Sequence, residues 1–356
     1  MDEFLLKTCR SILEKGYRTV FCFNAEPSAQ AREELESLGA VWFVEKFPLS
    51  MGSAYRIGRR LRSYRPNLLV THFVSPFEIG VPIMKLSSGC PKIVITDHTS
   101  VAAGAESKFW KVQRRLRSKI CPLFIDRIIG VSAFVSGKRV KEQTFSPSKV
   151  THVSNGVNLA RFVPPNFNIR KPRSLAFVGS INRSKGVDLL LEAVLGLKTK
   201  GENEFTVRIV GAGVDEASMK DYCARNLLVN VEFLGFIKSI IGLLQETDIV
   251  VIPSRSHEAF CAVAAEAMSS ECCVVASDAG ALPEVVGDAG VLFPSGSAAQ
   301  LESALRELLA APEHREELRK KARTRALAFF SIEKMIQGHV AQYLDVMGEL
   351  SNQEEK

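Results

Sequence analysis

The sequence predicts an α/β protein of two Rossmann-like, doubly wound domains that face each other across a cleft. Short β-branched runs alternate with amphipathic stretches, which predicts parallel sheets covered by helices on both faces. A break rich in Pro, Asn and basic residues divides the series in two. The 356 residues, 46% hydrophobic and 24% charged, suffice for two globular cores.

Six strands are predicted on each side of this break. In the first half they are 19–23, 41–44, 68–72, 92–96, 127–131 and 149–153, and in the second 174–178, 206–210, 231–234, 248–252, 272–276 and 291–293. Helical stretches between them include 29–38, 53–64, 133–143, 186–198, 215–227 and 259–269. The break at 163–172 predicts domains at 1–165 and 166–330, followed by a helical segment, 331–356, that we expect to pack back on the first domain.

Composition excludes several classes of protein. No apolar run approaches the roughly 18–20 residues of a spanning helix, and the N-terminus lacks the basic start of a signal peptide. The eight cysteines form no C-x-x-C pair and no Cys/His cluster, so we expect reduced thiols and no metal site. The sequence therefore predicts a cytoplasmic protein.

Charge is distributed unevenly along the chain. Residues 1–166 hold 25 Lys and Arg against 13 Asp and Glu, whereas residues 167–356 hold 21 against 26. This asymmetry predicts that the first half faces an anionic partner. The basic stretch 108–120 is predicted to form a helix with apolar residues near one face, namely Phe109, Val112, Leu116 and Ile120. Cations and the aromatic Trp110 occupy much of the remaining surface of this helix.

Two interpretations of this helix and of a second basic stretch, 56–65, remain open. The helix either binds an anionic membrane surface from the cytoplasmic side or packs on the core with a solvated basic face. Nucleic acid is not an expected partner, because the aromatics are not interleaved with the cations as stacking platforms require.

Three stretches of the second half carry the candidate chemistry. The first, residues 177–188, is predicted as a strand, a tight loop and the start of a helix. Gly179 lets the backbone approach a ligand, and Arg183 and Lys185 supply cations at the carboxyl edge of the sheet, where open α/β sheets bind ligands. The alternative is an ordinary turn.

The second stretch, residues 253–268, leads from a strand into an alanine-rich helix, with Glu258 just before the helix and Glu266 inside it. The N–H groups at a helix N-terminus suit a diphosphate, and carboxylates beside it suit the hydroxyls of a sugar or ribose. The third, residues 274–284, places small residues around Gly280 that would let amides close over a phosphate. The alternatives are a solvated Glu266 and a plain connecting loop.

In this order, the stretches resemble retaining glycosyltransferases of the GT-B architecture, glycosyltransferase family 4 (glycosyl transferases group 1), over nearly the whole chain. Gly179 to Gly186 resembles the family's G-x-L-x-x-x-K-G loop, and Glu258 and Glu266 match its Glu-x7-Glu motif, the most specific of these signals. Further similar segments are 129–132, 153–162, 210–213 and 277–284.

The resemblance implies roles for individual residues. Lys185 would contact the diphosphate of the donor, Glu258 would hold hydroxyls of the transferred sugar, and Glu266 would hold the ribose. His98 is similar to the family's histidine near the donor sugar, and His72 is a weaker candidate. The implied catalytic residues are Glu258, Lys185 and His98, and the implied donor-binding residues are Gly179, Ser180, Arg183, Lys185, Gly211, Glu258, Phe260, Cys261, Ala262, Val263 and Glu266.

The resemblance also implies a reaction. A hexose-type sugar would move from a nucleotide-diphosphate sugar to a glycan or lipid-linked acceptor, in cell-envelope or exopolysaccharide synthesis. Configuration would be retained without a protein nucleophile, the acceptor attacking from the leaving-group face. No Asp-x-Asp triplet occurs, so neither a metal nor a cofactor other than the donor substrate is implied.

This sequence departs from the family pattern in two places. Ser180 replaces the usual Arg, whose guanidinium Arg183 would supply instead, and Ala259, Cys261 and Glu271 stand where the family has Gly. Relatives open with a β-strand and a Gly-Gly loop, whereas this chain begins at the helix that follows them. Either the coding start lies further upstream, or the protein is a shortened relative, which makes a catalytically impaired sugar-nucleotide-binding subunit one alternative. A GT-B sugar-nucleotide epimerase is another, and it would need acid/base carboxylates in the cleft and no acceptor.

Overall fold

The computed structural model describes residues 2–46, 50–99, 108–142, 144–165 and 169–349, with the backbone alone for residues 2 and 108–115. Two compact units make up the chain. Unit 1 comprises Met1–Thr99, Ala105–Val153 and Glu333–Lys356, and unit 2 comprises Ser100–Gly104 and Ser154–Ile332. The main division thus falls between Val153 and Ser154, whereas the sequence pattern placed it between residues 165 and 166.

Unit 1 is built from parallel strands and helices in alternation. Its strands are β1 (Val20–Phe23), β2 (Val41–Val44), β3 (Leu68–His72), β4 (Lys92–Asp97), β5 (Arg127–Gly130) and β6 (Val150–His152). Its helices are α1 (Asp2–Leu13), α2 (Ala29–Ser37), α3 (Met51–Arg62), α4 (Gly80–Ser88), α5 (Lys108–Phe124), α6 (Ala133–Lys141) and, near the C-terminus, α14 (Ile332–Met347). The strands form two sheets, β1-β2 and β3-β4-β5-β6.

The core of unit 1 lies on both faces of these sheets. On one face, Ile57 of α3 and Met84 of α4 pack against Ile93 and Ile95 of β4. On the other, Tyr343 of α14 packs against Val94 and Ile129. The C-terminal helix therefore contributes to the core of unit 1, far from the rest of that unit in sequence.

Unit 2 contains one six-stranded parallel sheet. Its strands are β7 (Ser174–Val178), β8 (Thr206–Val210), β9 (Val231–Gly235), β10 (Ile249–Ile252), β11 (Cys273–Ser277) and β12 (Val291–Phe293). Its helices are α7 (Val187–Thr199), α8 (Glu216–Arg225), α9 (Ile241–Glu246), α10 (Ala262–Ser269), α11 (Leu282–Val286), α12 (Ala298–Ala310) and α13 (Pro312–Phe329). The twelve predicted strands are all confirmed, each end within one residue of the predicted one.

The strand order in unit 2 is β12-β11-β10-β7-β8-β9. Leu190 of α7 and Leu305 of α12 are fully buried in the same apolar cluster as Ile209 of β8 and Val275 of β11. The parallel strands β7 and β10 are neighbours, and successive strands are added on one side of β7 (β8 and β9) and then on its other side (β10, β11 and β12). In doubly wound sheets this switch point opens a crevice at the carboxyl ends of the strands.

Candidate active site

The loop after β7 brings Lys185 to the switch point. Residues Arg183–Lys185 form one 3-10 turn, which begins because the side chain of Asn182 accepts a hydrogen bond from the Lys185 amide (3.1 Å). Gly186 follows with a left-handed φ of 75°, and a Cβ at this position would lie 1.8 Å from the carbonyl oxygen of Pro253. Only glycine fits here, because both the conformation and the backbone contact exclude a side chain.

Lys185 and Glu258 are paired across the switch point. The Lys185 ammonium donates to Oε1 of Glu258 (2.7 Å), and the hydroxyl of Ser254 donates to the same oxygen (2.6 Å). The Glu258 residue is buried, with 7% of its surface exposed. A buried carboxylate needs such partners, because desolvating an unpaired charge costs several kcal/mol. The structure therefore brings together two of the three predicted catalytic residues.

Backbone contacts hold this pair in place. The amides of Arg255 and Ser256 donate to the carbonyl oxygen of Ser184 (2.8 and 3.1 Å), which ties the loop after β10 to the loop after β7. The Ala281 amide donates to the carbonyl oxygen of Glu258 (2.9 Å). Gly280, at φ 67°, lies so close to Glu258 that a Cβ would meet its backbone at 2.4–2.5 Å. Three loops at one sheet edge thus determine the position of Glu258.

Helix α10 begins at Ala262, three residues later than predicted. Cys261 precedes it with φ 74° and ψ 82°, and no side chain caps the first N–H groups of the helix. Phe260 points its ring into the interior, edge-on to Phe330 (5.5 Å between centroids), so only its backbone is available to a ligand. Burial raises the pKa of the Cys261 thiol to about 12, with a further contribution from Glu258. The thiol therefore stays protonated and is a poor nucleophile.

The left-handed backbone of Cys261 leads to a stability prediction. Cys261→Gly should be more stable than Cys261→Ala by about 1 kcal/mol, because both variants lose the sulfur and only glycine accepts this conformation without strain. Thermal and urea unfolding of the two variants measure the difference. The matched control is Cys223, inside α8, where the alanine variant should be the more stable one. Equal stabilities at position 261 would contradict the prediction.

Glu266 lies in the second turn of α10 and is partly buried. Burial raises its pKa to about 7, while Arg161 acts in the opposite direction. Lys185 is paired with Glu258, which lies just before α10, and Glu266 lies in the second turn of that helix, so the three residues are grouped near the start of α10. The site therefore combines a cation, a paired carboxylate and a carboxylate whose ionised form is disfavoured in the ligand-free protein.

The raised pKa of Glu266 makes stability depend on pH. The folded protein retains this proton up to about pH 7, whereas the unfolded chain releases it near pH 4.5, so folding is weakened as pH rises through this window. Glu266→Gln should therefore stabilise the protein at pH 8, by up to about 3 kcal/mol, and leave it unchanged near pH 4. Glu307→Gln, on the exposed face of α12, is the control with no expected effect. A Glu266→Gln gain that is equal at both pH values would refute this explanation.

Of the remaining predicted donor-binding residues of unit 2, Ala262 and Val263 open α10, and the others lie in the loops that follow β7 and β8. A Cβ on Gly211 would come within 1.8 Å of the carbonyl oxygen of Gly179, so Gly211 allows the two loops to touch. Ser180 is exposed beside them. Arg183 is also exposed, and its amide donates to Asp215 (2.8 Å).

His98, the third predicted catalytic residue, belongs to unit 1. It follows β4, and its Nε2 lies 3.4 Å from Nδ1 of His72, at the end of β3. Burial lowers the pKa of His98 to about 4 and that of His72 to about 3, so both imidazoles are neutral at pH 7. The preceding residue, Asp97, is fully buried and accepts a hydrogen bond from Nε of Arg139 (2.6 Å).

Sequence reasoning missed several supporting residues. Ser254 bonds Glu258, and Asn182 caps the turn of Lys185. Arg255 donates to Asp188 (2.5 Å) and to the carbonyl oxygen of Arg183 (2.9 Å). A short polar residue before a tight turn is a recognisable capping signal, so Asn182 could have been found. The partners of Arg255 could not, because they lie 72 and 67 residues away in the chain. Ser254 is only four residues from Glu258, but its contact depends on how the loop between them folds.

Two properties of the described residues bear on the chemistry. No three His, Cys, Asp or Glu side chains among them are close enough to hold a metal ion. None of the helices within the described ranges has the length and apolarity needed to cross a bilayer.

Comparisons with known proteins agree with this architecture. Residues 3–161 match the family described as Glycosyltransferase Family 4, and residues 162–325 match Glycosyl transferases group 1. The chain is 27% identical over 347 residues to an uncharacterized glycosyltransferase of Methanocaldococcus jannaschii, covering 94% of this chain and 88% of the relative. It is 29% identical over 245 residues to the phosphatidyl-myo-inositol mannosyltransferase of Mycolicibacterium smegmatis, covering 66% of this chain and 61% of the relative.

The fold is also that of solved glycosyltransferase structures. The structure of a glycosyltransferase from Rickettsia africae superposes with a TM-score of 0.80 at 16% identity, over 97% of this chain and 94% of that one. The two family matches together span nearly all of the described residues, one domain after the other. The chain therefore belongs to the glycosyltransferases of the GT-B fold, with a Glycosyltransferase Family 4 domain followed by a Glycosyl transferases group 1 domain.

Proposed function

We propose that this protein transfers a sugar from a nucleotide-diphosphate sugar to a glycan or lipid-linked acceptor, with retention of anomeric configuration. The observation that carries the proposal is the grouping of Lys185, Glu258 and Glu266 near the start of α10 in unit 2. We assign the donor to this site and the synthesis of a cell-envelope or exopolysaccharide glycan to the protein. No cofactor other than the donor substrate enters the reaction.

Lys185 and the start of α10 would hold the diphosphate. The uncapped amides at the start of the helix, Cys261 to Val263, supply N–H donors and the positive end of the helix dipole. Lys185 adds a full positive charge near the same point. Because negative charge accumulates on the diphosphate as the glycosidic bond breaks, these groups stabilise the transition state more than the bound donor.

The two carboxylates would bind hydroxyls. Glu258 Oε1 is already occupied by Lys185 and Ser254, so a sugar hydroxyl would bond the other carboxylate oxygen. Glu266 would accept hydrogen bonds from the ribose, which would compensate for the burial that now disfavours its ionised form. Both roles are binding roles and need no covalent bond to the enzyme.

Retention follows if the acceptor approaches on the face from which the diphosphate leaves. The bond between the anomeric carbon and the phosphate oxygen breaks, the acceptor oxygen bonds to that carbon, and the acceptor proton passes to the departing phosphate. This route differs from retaining glycoside hydrolysis, in which a second carboxylate attacks the anomeric carbon. His98, neutral at pH 7, would contribute a hydrogen bond to the transferred sugar rather than a charge.

A donor panel tests the proposal directly. The protein is incubated with nucleotide-diphosphate sugars that differ in base and sugar, and release of nucleoside diphosphate is measured with simple glycoside, inositol and lipid-linked acceptors. We expect one donor to be turned over and the anomeric proton of the product to show the configuration of the donor by NMR. An inverted product contradicts retention. Donor binding without turnover would instead indicate a non-catalytic binding subunit, and isomerised donor without acceptor an epimerase.

The class of acceptor is supported by the relatives and by helix α5. The phosphatidyl-myo-inositol mannosyltransferase that this chain resembles is named for a lipid acceptor. In α5, Leu116, Ile120 and Leu123 recur at spacings that put them on one helix face, and their exposed fractions are 62%, 37% and 77%. Arg117 and Lys119 lie among them. We propose that this face binds the surface of an anionic membrane from the cytoplasmic side.

Vesicle co-sedimentation measures this binding. The full chain should bind vesicles containing anionic lipid at low salt, bind less at high salt, and not bind neutral vesicles. Replacing Leu116, Ile120 and Leu123 together with Gln should reduce binding at least tenfold, whereas Leu86→Gln, at an exposed position of α4, should not. The predicted Phe109, Val112 and Trp110 side chains lie outside the described residues. Absence of binding to anionic vesicles at low salt would end this proposal.

A further inference from the structure

An exposed aromatic ring stands over His98 in unit 1. Phe73 directly follows β3, and its ring stacks on the imidazole of His98 with centroids 4.0 Å apart and planes 15° apart. The residue nevertheless keeps 65% of its surface exposed. One face of the ring is therefore covered by His98, and the opposite side is available to a ligand.

The backbone of Phe73 is strained. Its φ of 58° lies in the left-handed region, which a bulky L-residue rarely adopts. Strain of this kind persists only where the surrounding structure imposes it, and it is concentrated at functional sites. The hydrophobic effect does not compensate for this strain, because a ring that is so exposed removes little apolar surface from water on folding. The strain thus holds an aromatic ring at the carboxyl edge of the sheet without an evident gain for folding.

His98 adds a polar group beside the ring. Its Nε2 faces Nδ1 of His72, and among the described residues no hydrogen bond engages its Nδ1. His72 is itself fixed by packing, with the ring of Phe4 edge-on at 5.4 Å. Depending on the tautomer, Nδ1 of His98 is either a donor or an acceptor, and a hydroxyl group complements both.

An exposed aromatic face next to a nitrogen that takes a hydroxyl is suited to one class of ligand. A pyranose ring has a face of C–H groups, which packs on the electron-rich face of an aromatic ring, and a rim of hydroxyls that form hydrogen bonds. We propose that Phe73 and His98 form a platform for a pyranose ring, with Phe73 as a sugar-binding residue. This inference rests on the proposed glycosyl transfer, and the ring belongs either to the transferred sugar or to the acceptor.

Two variants separate binding from folding. Phe73→Leu removes the aromatic face but keeps an apolar side chain, and Phe73→Gly removes the ring and also relieves the strained φ. We expect both to lower kcat/KM by about 10- to 100-fold, while the melting temperature of Phe73→Gly is equal to or above that of the wild type. Phe329→Leu is the matched control, since Phe329 in unit 2 is similarly exposed (57%).

The binding constants identify which sugar is held. If the platform holds the transferred sugar, the variants bind the nucleotide-diphosphate sugar more weakly and the nucleoside diphosphate unchanged. If it holds the acceptor, only the acceptor KM rises. Unchanged kinetics in both variants, or a melting temperature of Phe73→Gly below that of the wild type, would overturn the inference because the ring would then serve folding.

If the wild type turns over no donor, binding of simple glycosides tests whether Phe73 and His98 hold a pyranose ring. Methyl α-glucoside, methyl α-mannoside and methyl α-galactoside are then added to the full chain, and saturation-transfer NMR detects the bound glycoside. A signal that is present in the wild type and in Phe329→Leu, and lost in both Phe73 variants, supports the platform although the proposed transfer has failed. A signal that is absent from the wild type, or equal in all proteins, overturns it.

Discussion

Replacing Lys185 with alanine should lower kcat by about 10²- to 10³-fold at saturating donor, the loss typical of one preorganised group that stabilises a developing anion. In the ligand-free protein the Lys185 ammonium lies 2.7 Å from Glu258, at the edge of the sheet where the diphosphate is proposed to bind. The initial rate of nucleoside diphosphate release measures the effect. A variant that keeps more than about a tenth of the wild-type rate would remove Lys185 from the proposed mechanism.

Two further variants make this experiment specific. Lys200→Ala is the control, because Lys200 also pairs with a carboxylate of unit 2, Glu302, at 2.7 Å, but on the surface away from the predicted site. Lys185→Ala also leaves the Glu258 carboxylate without its ammonium partner. The double variant Lys185→Ala/Glu258→Gln should therefore recover stability, since no buried charge is left unpaired, without recovering turnover.

Replacing Arg139 with methionine should destabilise unit 1 by about 3–5 kcal/mol, the cost of leaving a buried charge without its partner. Arg139 donates to Asp97 at 2.6 Å, and the side chains are 7% and 0% exposed. The other carboxylate oxygen of Asp97 accepts hydrogen bonds from the amide and hydroxyl of Thr99. The pair thus anchors the turn that carries His98, so loss of Arg139 should disturb His98 as well as the fold.

Urea unfolding at pH 7 measures this destabilisation. Arg56→Met is the matched control, because Arg56 pairs with Glu45 at 2.5 Å in the same unit but is 64% exposed, and such surface pairs contribute about 0–1 kcal/mol. Arg139→Met combined with Asp97→Asn should be less destabilised than Arg139→Met alone. If Arg139→Met lowers the free energy of unfolding no more than Arg56→Met does, burial does not increase the contribution of the Arg139–Asp97 ion pair to stability.

Much of the fold could be predicted from local patterns. Strand residues repeat every two positions and helix residues every 3.6, so the twelve strands were correctly located within a residue from short runs of sequence. Alternation of the two patterns predicts parallel strands, and parallel strands bring their carboxyl ends to one edge. That reasoning placed the loops of Lys185 and Glu258 at the same edge, and the structure pairs them across a separation of 73 residues.

Local patterns did not give the start of α10 or the division between the two units as the structure has them. Residues 259–261 have helix-compatible side chains, but the positive φ of Cys261, next to the Glu258–Gly280 contact, delays the helix to Ala262. The Pro-rich break after residue 162 looked like the domain boundary. The segment before it nevertheless belongs to unit 2, where Val157 pairs with Ser331 and the Phe162 carbonyl oxygen accepts a hydrogen bond from Ser269.

Local sequence patterns were sufficient to predict the strands and the parallel α/β architecture, and motifs within short segments indicated the family and the edge of the sheet at which the candidate site is proposed, because these features depend on residues close together in the chain. Local patterns did not reveal that Ser254 shares an oxygen of Glu258 with Lys185, that burial raises the pKa of Glu266, or that the ring of Phe73 stacks on His98. These features depend on burial and on contacts between distant segments. Such contacts exist only after the chain has packed.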